Sequence, residues 1–528
     1  MAATAASDHA ALVGGAMRDP RTYPGAPRDV EVVETHCSWV FLAGERAYKV
    51  KKPVVLPFVD QGSLSRRRAL CREEVRLNRR LAPRIYLRTV ALVRAGNGFA
   101  LVPDERSGVD AAIEIAVEMV RFADQDTLAW RVRANAVSDQ DAERLGRLLA
   151  GFHLVARRSR DTDGAIRALA AAMRTTLDDL SAPVGGLDSA RVAALRRFLT
   201  AFMAATTPEL ARRGSRGLVR DGHGDLRAEH VVMGDHVQVV DCLEFDPALR
   251  IGDVALDLSF LVMDLDALGA PRLARGVIDA YRRAGGDPGN DRLLAGLACF
   301  RALVRAKVAA VRAGQVRDGA NGFAAEAARL IDVAERLAWR ARGPVVIVCC
   351  GPSASGKSTL AARLSRMSGL EHLSSDLVRK RLVGVAPTER APIAAYTPEV
   401  TAATYDALAE GAARACASGR GAIVDATFRT VARRTMFLNV LGDRGAPVLF
   451  AECRAPAAVL ERRADERARD PARVSDATVD VVRAHLASWE AFAGAGGRRH
   501  LVVPADQSPQ GMADAVLAWL DRRLETSR

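Results

Sequence analysis

The sequence predicts a multidomain chain: an N-terminal α+β half of two lobes, then a C-terminal α/β half on a five-stranded parallel sheet. Three observations predict it. Strand signals crowd between residues 30 and 119 around a single helical stretch, and from 124 to 211 the pattern turns helical. Beyond residue 344, strand and helix signals alternate as in βαβ units. The first of those later strands, 345–350, runs into a glycine-rich turn that opens a helix.

Taken in order, residues 1–28 read as an extension, with a short helix from Ala6 to Met17 and a stretch marked by Pro and Gly. Residues 30–34 are a strand, and 38–42 and 46–50 a hairpin. A helix spans 65–81 and stops before Pro83. Strands follow at 87–93, 98–102 and 113–119. The stretch 139–158 carries apolar residues at 145, 148, 149, 152 and 155, the spacing of a helix face turned to a core. Helices within 291–340 close this half. The expected divisions are 1–28, 29–342 and 343–528.

The totals narrow the function. With 528 residues and 49% apolar content, the chain can build two or three cores. No apolar run nears the ~20 residues that span a bilayer, and the N-terminus lacks the sustained apolar stretch of a secretory signal. Eight scattered cysteines, with no CxxC and no Cys/His grouping at metal spacing, read as reduced thiols of a cytoplasmic protein. The net charge of +13 is spread along helices, and 5% aromatic content is too little for a base-stacking surface. The charge therefore suits anionic nucleotides and small substrates, and nucleic acid is not the expected partner. Only six of the 76 basic residues are lysines, at 49, 51, 52, 307, 357 and 380. That bias singles those positions out.

The turn after 345–350 reads Gly351-Pro352-Ser353-Ala354-Ser355-Gly356-Lys357-Ser358-Thr359. This is G-x-x-x-x-G-K-[ST] between a buried strand and a helix start. Its glycines let successive N–H groups point inward, and those groups with the helix N-terminus hold phosphate oxygens. Lys357 is expected on the β- and γ-phosphates and Ser358 on Mg²⁺. The turn predicts ATP as the bound nucleotide.

A second chemical stretch lies at 221–246. Asp221-Gly-His223-Gly-Asp225-Leu-Arg-Ala-Glu-His230 precedes a short hairpin, and the strand 237–240 leads into Asp241, 16 residues after Asp225. With a lysine on an upstream strand, a glutamate on the next helix and a strand running into residues 118–122, this resembles the aminoglycoside phosphotransferase-like branch of the protein-kinase-like fold, over roughly 30–335. The resemblance implies a bilobal fold with adenine held at a hinge near Met119. It implies a lysine, oriented by the helix glutamate, on the α- and β-phosphates, Asp225 as catalytic base and Asp241 as Mg²⁺ ligand. It also implies that Asp257 braces the catalytic loop through backbone N–H groups. Lys49 is the favoured lysine, although Lys51, two residues on, shares its strand face. Glu74 is the favoured glutamate over Glu73. Two positions depart from the family. Where it carries a metal-binding Asn, this chain has His230, which can ligate a metal but matches Mg²⁺ poorly. The hairpin at 38–50 has only Gly44, so cover for phosphates falls to residues 35–38.

In the C-terminal half, strands are predicted at 345–350, 371–374, 421–424, 448–453 and 500–503. Ligands of such sheets bind at the C-terminal strand ends. Asp376 and Arg379 follow the second strand, and Asp425 and Thr427 the third. Asp425 is expected on a Mg²⁺-bound water, Asp376 on the proton of a substrate hydroxyl, and Arg379 and Thr427 on the substrate. Arg463 and Arg467, four apart on the helix 457–469, share a face. With the turn 470–478 they look like the lid of small P-loop kinases closing over the γ-phosphate. The segment 344–528 resembles P-loop kinases of the gluconate-kinase-like and zeta-toxin-like kind. The whole chain resembles a family of bacterial two-domain predicted kinases, which join a phosphotransferase-like domain to a P-loop kinase-like, AAA-type ATP-binding domain.

The expectation is an ATP- and Mg²⁺-dependent phosphotransferase, bifunctional, moving the γ-phosphoryl to the hydroxyl of a small polar metabolite. Two other readings stand beside it: a P-loop kinase with a non-catalytic N-terminal sensing domain, and a kinase of polynucleotide ends.

Overall fold

The computed structural model describes residues 2–35, 37–56, 59–106, 111–181, 187–315, 320–442, 447–468, 478–492 and 499–526. The chain forms two compact units. One comprises residues 1–172 and 208–289, the other 173–207 and 290–528.

The first unit begins with a six-stranded sheet in the spatial order Val30–Glu34, Ser38–Ala43, Arg46–Lys51, Glu114–Val120, Tyr86–Ala95, Gly98–Pro103. All its neighbours are antiparallel. Strand period sorts the side chains of Arg46–Lys51 onto two faces. Tyr48 and Val50 join Phe41, Leu92 and Ala116 in a core that also takes Val13 and Met17 from the helix Ala2–Arg18. Ala47 lies on the opposite face with Cys71, Ile115 and Val117, where the helix Leu64–Asn78 packs. Lys49 and Lys51 share that second face and so point toward this helix. Ser63 caps the helix by accepting a hydrogen bond from Arg66 N.

The helical part of this unit contains Asp139–Val155, Val254–Ala267 and Pro271–Arg283. One expectation changes here. Leu145, Leu149 and Phe152 are buried as their spacing predicts, but Val155 is 84% exposed. It lines, with Leu148, Phe152, Arg76, Arg80, Arg147 and Arg157, a cleft of about 770 Å³. Ile251–Asp253 is a short strand paired with Val219–Asp221. The helix starts at Val254 because the Asp253 side chain accepts from Ala255 N and caps it.

The second unit holds the predicted parallel sheet, in the order Glu371–Ser374, Gly421–Asp425, Val345–Cys350, Val448–Arg454, His500–Pro504. Both faces are covered, which is why its central strand is a continuous apolar run. Ile347 and Cys349 pack with Leu360, Leu364 and Leu517, whereas Val346 and Val348 pack with Leu408, Phe437 and Phe450. Ala194 and Trp339 belong to the first of these cores. The helical segments 173–207 and 290–342 therefore group with this sheet. Arg342, at the entry to the first strand, is buried against Asp521 at 2.6 Å. Among the described residues, no helix is long and apolar enough to cross a membrane.

Candidate active sites

In the first unit, five charged side chains converge between the sheet and the helix Leu64–Asn78. Lys49 Nζ lies 2.8 Å from Glu74 Oε1 and 2.7 Å from Asp241 Oδ1. Lys51 Nζ lies 2.7 Å from Glu74 Oε2 and 2.5 Å from Glu244 Oε1. Glu74 thus gives one oxygen to each lysine, while Glu73 faces Arg76 and Arg250 instead. Burial opposes charge on Lys49, but Asp241 and Glu74 outweigh it and raise its pKa well above the usual lysine value. Burial opposes charge on Glu74 too, but Lys49 and Lys51 hold its carboxyl below the usual range. The two lysines differ in access: the Lys49 side chain is 17% exposed and that of Lys51 1%.

Asp241 sits at φ +64°, a left-handed conformation uncommon for a non-glycine residue. Its carboxylate is 45% exposed, and Lys49 beside it holds it far below the usual carboxylate range. The preceding strand end is tied to the His223–Asp225 loop. His223 Nε2 donates to Val240 O at 3.0 Å, and burial pushes its pKa down to about 4. Asp257 accepts from His223 N at 2.5 Å and Gly224 N at 2.7 Å. His153, buried on the helix Asp139–Val155, adds a bond to Asp257 at 3.2 Å and one to Tyr281 at 3.0 Å. The loop is thus held from three elements. Met119 lies one residue before the end of the strand Glu114–Val120, buried, with Ala47 as its register partner. The turn 35–38 closes through Thr35 N on Ser38 O at 2.9 Å; His36 lies outside the described residues.

Asp225, His230 and Asp241 each offer a ligand atom within 4.8 Å of one another. Arg227, to which sequence reasoning assigned no role, stands in this group. Its Nε donates to Asp225 Oδ1 at 3.0 Å and its Nη2 to His230 Nε2 at 3.0 Å. Its position two residues after Asp225 was visible, but 70 arginines in the chain hid it.

In the second unit, the turn 351–359 wraps as its glycines require. Gly351 has φ +142°, and a Cβ there would meet Cys453 O at 2.6 Å and Ser355 Oγ at 2.7 Å. Gly356 has φ +85° and starts the helix Lys357–Ser368; Ala354 is also left-handed, at φ +65°. Gly351 N donates to Thr427 O at 3.3 Å, so Thr427 borders the turn. Asp425 pairs in register with Cys349 and Ser374 at the C-terminal strand ends. Its Oδ1 is buried without a hydrogen-bond partner among the described residues, and Ser358 is exposed in the first turn of the helix. An oxygen donor left open in this way, with a hydroxyl nearby in sequence to the phosphate-loop lysine, fits Mg²⁺ chemistry. Asp376 lies in the first turn of the helix Ser375–Leu382.

Arg379 is buried and turned toward the segment 393–401, donating to Ala395 O at 2.7 Å and Thr401 Oγ1 at 3.1 Å. The helix Ala457–Ala468 does meet the phosphate loop: Leu460 and Ala464 pack with Ala354. Arg463 is partly buried on that helix. Arg467 is in its last turn, but its side chain and the turn 469–477 lie outside the described residues. His485, which sequence reasoning passed over, reaches the loop from the helix Val479–Ala487. Its Nδ1 lies 3.1 Å from Ser353 Oγ, and burial, with Lys357 and Arg429 nearby, pushes its pKa down to about 4.

Comparison with known proteins finds two family matches along the chain, one in each half. Residues 44–294 match the Phosphotransferase enzyme family and residues 346–491 an AAA domain. Among solved structures, the chain is similar to a choline/ethanolamine kinase family protein from Mesorhizobium loti, at 14% identity over 63% of this chain and 99% of that one, TM-score 0.36. It is also similar to a gluconokinase from Sinorhizobium meliloti, at 19% over 35% and 94%, TM-score 0.26. Uncharacterized protein Rv2004c of Mycobacterium tuberculosis and Uncharacterized protein Mb2027c of Mycobacterium bovis are each 31% identical over 487 residues, 91% of this chain and 94% of theirs. At that identity over nearly its whole length, the chain belongs to the family of these mycobacterial proteins, as a phosphotransferase-family domain followed by an AAA-type P-loop domain.

Proposed function

We propose that the chain is a bifunctional ATP-dependent kinase of small molecules, with one phosphotransfer site in each unit and a hydroxyl as acceptor. The observation that carries this reading is Lys49 bridging Glu74 and Asp241 within 2.8 Å, beside Asp225, in a chain that also has a complete phosphate loop. In the first unit, Lys49 holds the α- and β-phosphates and adenine lies along the strand ending near Met119. The second oxygen of Asp225, which Arg227 does not bond, orients the acceptor hydroxyl and takes its proton. The hydroxyl oxygen bonds to the γ-phosphorus as the bond to the β–γ bridging oxygen breaks, and ADP leaves.

In the second unit, the N–H groups of 351–359 and Lys357 hold the triphosphate, Asp376 takes the acceptor proton, and Arg463 and Arg467 close over the γ-phosphate. Thr427 borders the acceptor, and Arg379, on the helix Ser375–Leu382, supports that side through its bonds to the segment 393–401. Ser358 and Asp425 in the second unit, and Asp241 in the first, are the residues that would hold Mg²⁺. When bound, the ion supplies charge neutralisation at the β- and γ-oxygens.

The test is a screen of sugars, sugar acids, amino sugars, amino alcohols and nucleosides for stimulated ATP consumption, run with wild type, Asp225→Ala and Lys357→Ala. Two sites predict that each variant loses a separable activity. If Asp225→Ala retains every activity and Lys357→Ala retains none, the first unit senses a ligand rather than transferring phosphate.

A further inference from the structure

His230 stands where the resembling family carries a metal-binding Asn, and its surroundings explain what it does instead. Its Nδ1 lies 2.8 Å from the main-chain O of Asp225, which can only accept. Its Nε2 lies 3.0 Å from Arg227 Nη2, which can only donate. One tautomer satisfies both: Nδ1–H donates to the carbonyl, and the Nε2 lone pair accepts from the guanidinium. That lone pair is the one a metal would need.

The guanidinium is held on three sides. Nε is on Asp225 Oδ1 at 3.0 Å, Nη2 is on His230, and Nη1 is paired with Glu229 Oε1. The Arg227 side chain is 11% exposed. Arginine does not lose its proton in proteins, and its planar fork fits two acceptors at once. A permanent cation therefore lies between the catalytic-base candidate and the residue at the Asn position. Two of the three possible ligand residues there, Asp225 and His230, already serve it. Asp241 keeps its outer oxygen, Oδ2, 3.7 Å from His230 Nε2 and off Lys49, which takes Oδ1. The donor set has room for one divalent ion, on Asp241, and not for a second between Asp225 and His230.

We propose that the first unit is a one-metal phosphotransfer site, in which Arg227, locked by His230, stands between Asp225 and His230 and supplies a single positive charge where a second divalent ion would otherwise bind. The inference rests on the reading of this unit as a nucleotide site. It accounts for the His: an amide oxygen at this position accepts a metal as readily as a guanidinium, whereas an imidazole tied through Nδ1 presents a single lone pair that one Arg N–H saturates.

The test counts metal ions by a readout independent of turnover. The full chain carrying Lys357→Ala and Ser358→Ala, which disables metal binding at the phosphate loop, is saturated with a non-hydrolysable ATP analogue and titrated with Mn²⁺. Bound ion is measured by electron paramagnetic resonance, and analogue binding by calorimetry. One Mn²⁺ per chain is expected, rising to two when Arg227→Ala and His230→Asn are added. Two ions in the parent chain overturn the proposal. So does bound analogue without any ion, or a folded four-fold variant that still takes only one. Should the quadruple variant not fold, the parent count decides together with a milder variant. Arg227→Lys, a point charge that cannot bond Asp225 and His230 together, then serves as the second variant, and an unchanged Mn²⁺ affinity in it counts against the proposal. If the analogue does not bind the parent at all, the nucleotide-site reading of this unit fails, a result calorimetry separates from a wrong ion count.

Discussion

The two candidate phosphate sites of this chain are built by opposite means. Around Asp225 the site consists of side-chain charges that answer one another: Lys49 and Lys51 divide Glu74, Asp241 and Glu244 complete them, and Arg227 joins Asp225 to His230. Around Lys357 it consists of main chain, with Gly351, Ala354 and Gly356 at positive φ and one lysine. The difference teaches where each is fragile. A charge network keeps its members ionised by mutual contact, so removing one member strands the others in a medium that solvates them poorly. A backbone cradle tolerates changes in neighbouring side chains but not an added Cβ where the chain must curl.

The largest expected effect breaks the comparison at its chemistry. Asp225→Asn should lower turnover at the first site by ~10²–10⁴, the range for loss of a general base, with nucleotide affinity kept. Calorimetry beside steady-state kinetics checks this. A fall in affinity of the same size would make Asp225 a binding group instead.

Next in size is Lys51→Met. It leaves Glu244 without its partner and Glu74 with only one lysine, and it should destabilise the first unit by about 3–5 kcal/mol. Adding Glu244→Gln should recover a large part of that, because the stranded charge is then gone. Urea unfolding of both variants tests it, and purely additive losses would mean the network is not cooperative.

At the phosphate loop the corresponding change is Gly351→Ala. Its Cβ would sit 2.6 Å from Cys453 O at φ +142°. Strain of about 1–3 kcal/mol is expected, read as roughly a tenfold or greater loss of nucleotide affinity at the second site. The first site should be unaffected.

The smallest effect concerns pH. His485 has its folded pKa lowered to about 4, so the unfolded chain binds more protons below the ordinary histidine value of ~6.5. Stability is then fully present above pH ~6.5 and declines as pH falls toward about 4. Because the ring is only partly enclosed, the loss is expected at no more than ~2 kcal/mol. His485→Gln should flatten that part of the stability curve, and an unchanged slope would remove His485 as its source.

What the sequence determined by itself was local. Period-two alternation and βαβ order specified both sheets, strand by strand, because which face is buried depends on spacing along the chain. The phosphate loop was legible for the same reason: G-x-x-x-x-G-K-S carries its own backbone requirement, and Gly351 and Gly356 meet it. So was the His223–Asp241 stretch, whose spacing holds a loop and a hairpin.

What only the tertiary structure decided were pairings between residues far apart in sequence. Strand period put Lys49 and Lys51 on one face, but their sharing of one glutamate depends on how the helix Leu64–Asn78 lies against the strand. Val155 kept helical spacing yet stayed exposed, since periodicity marks a face but not what covers it. Arg227, one arginine among 70, gained its meaning from His230 and Asp225 closing around it. His485 carried no signal until its helix came against Ser353. Charge and hydrogen bonding act over a few ångströms of space, and folding alone decides which residues come that close.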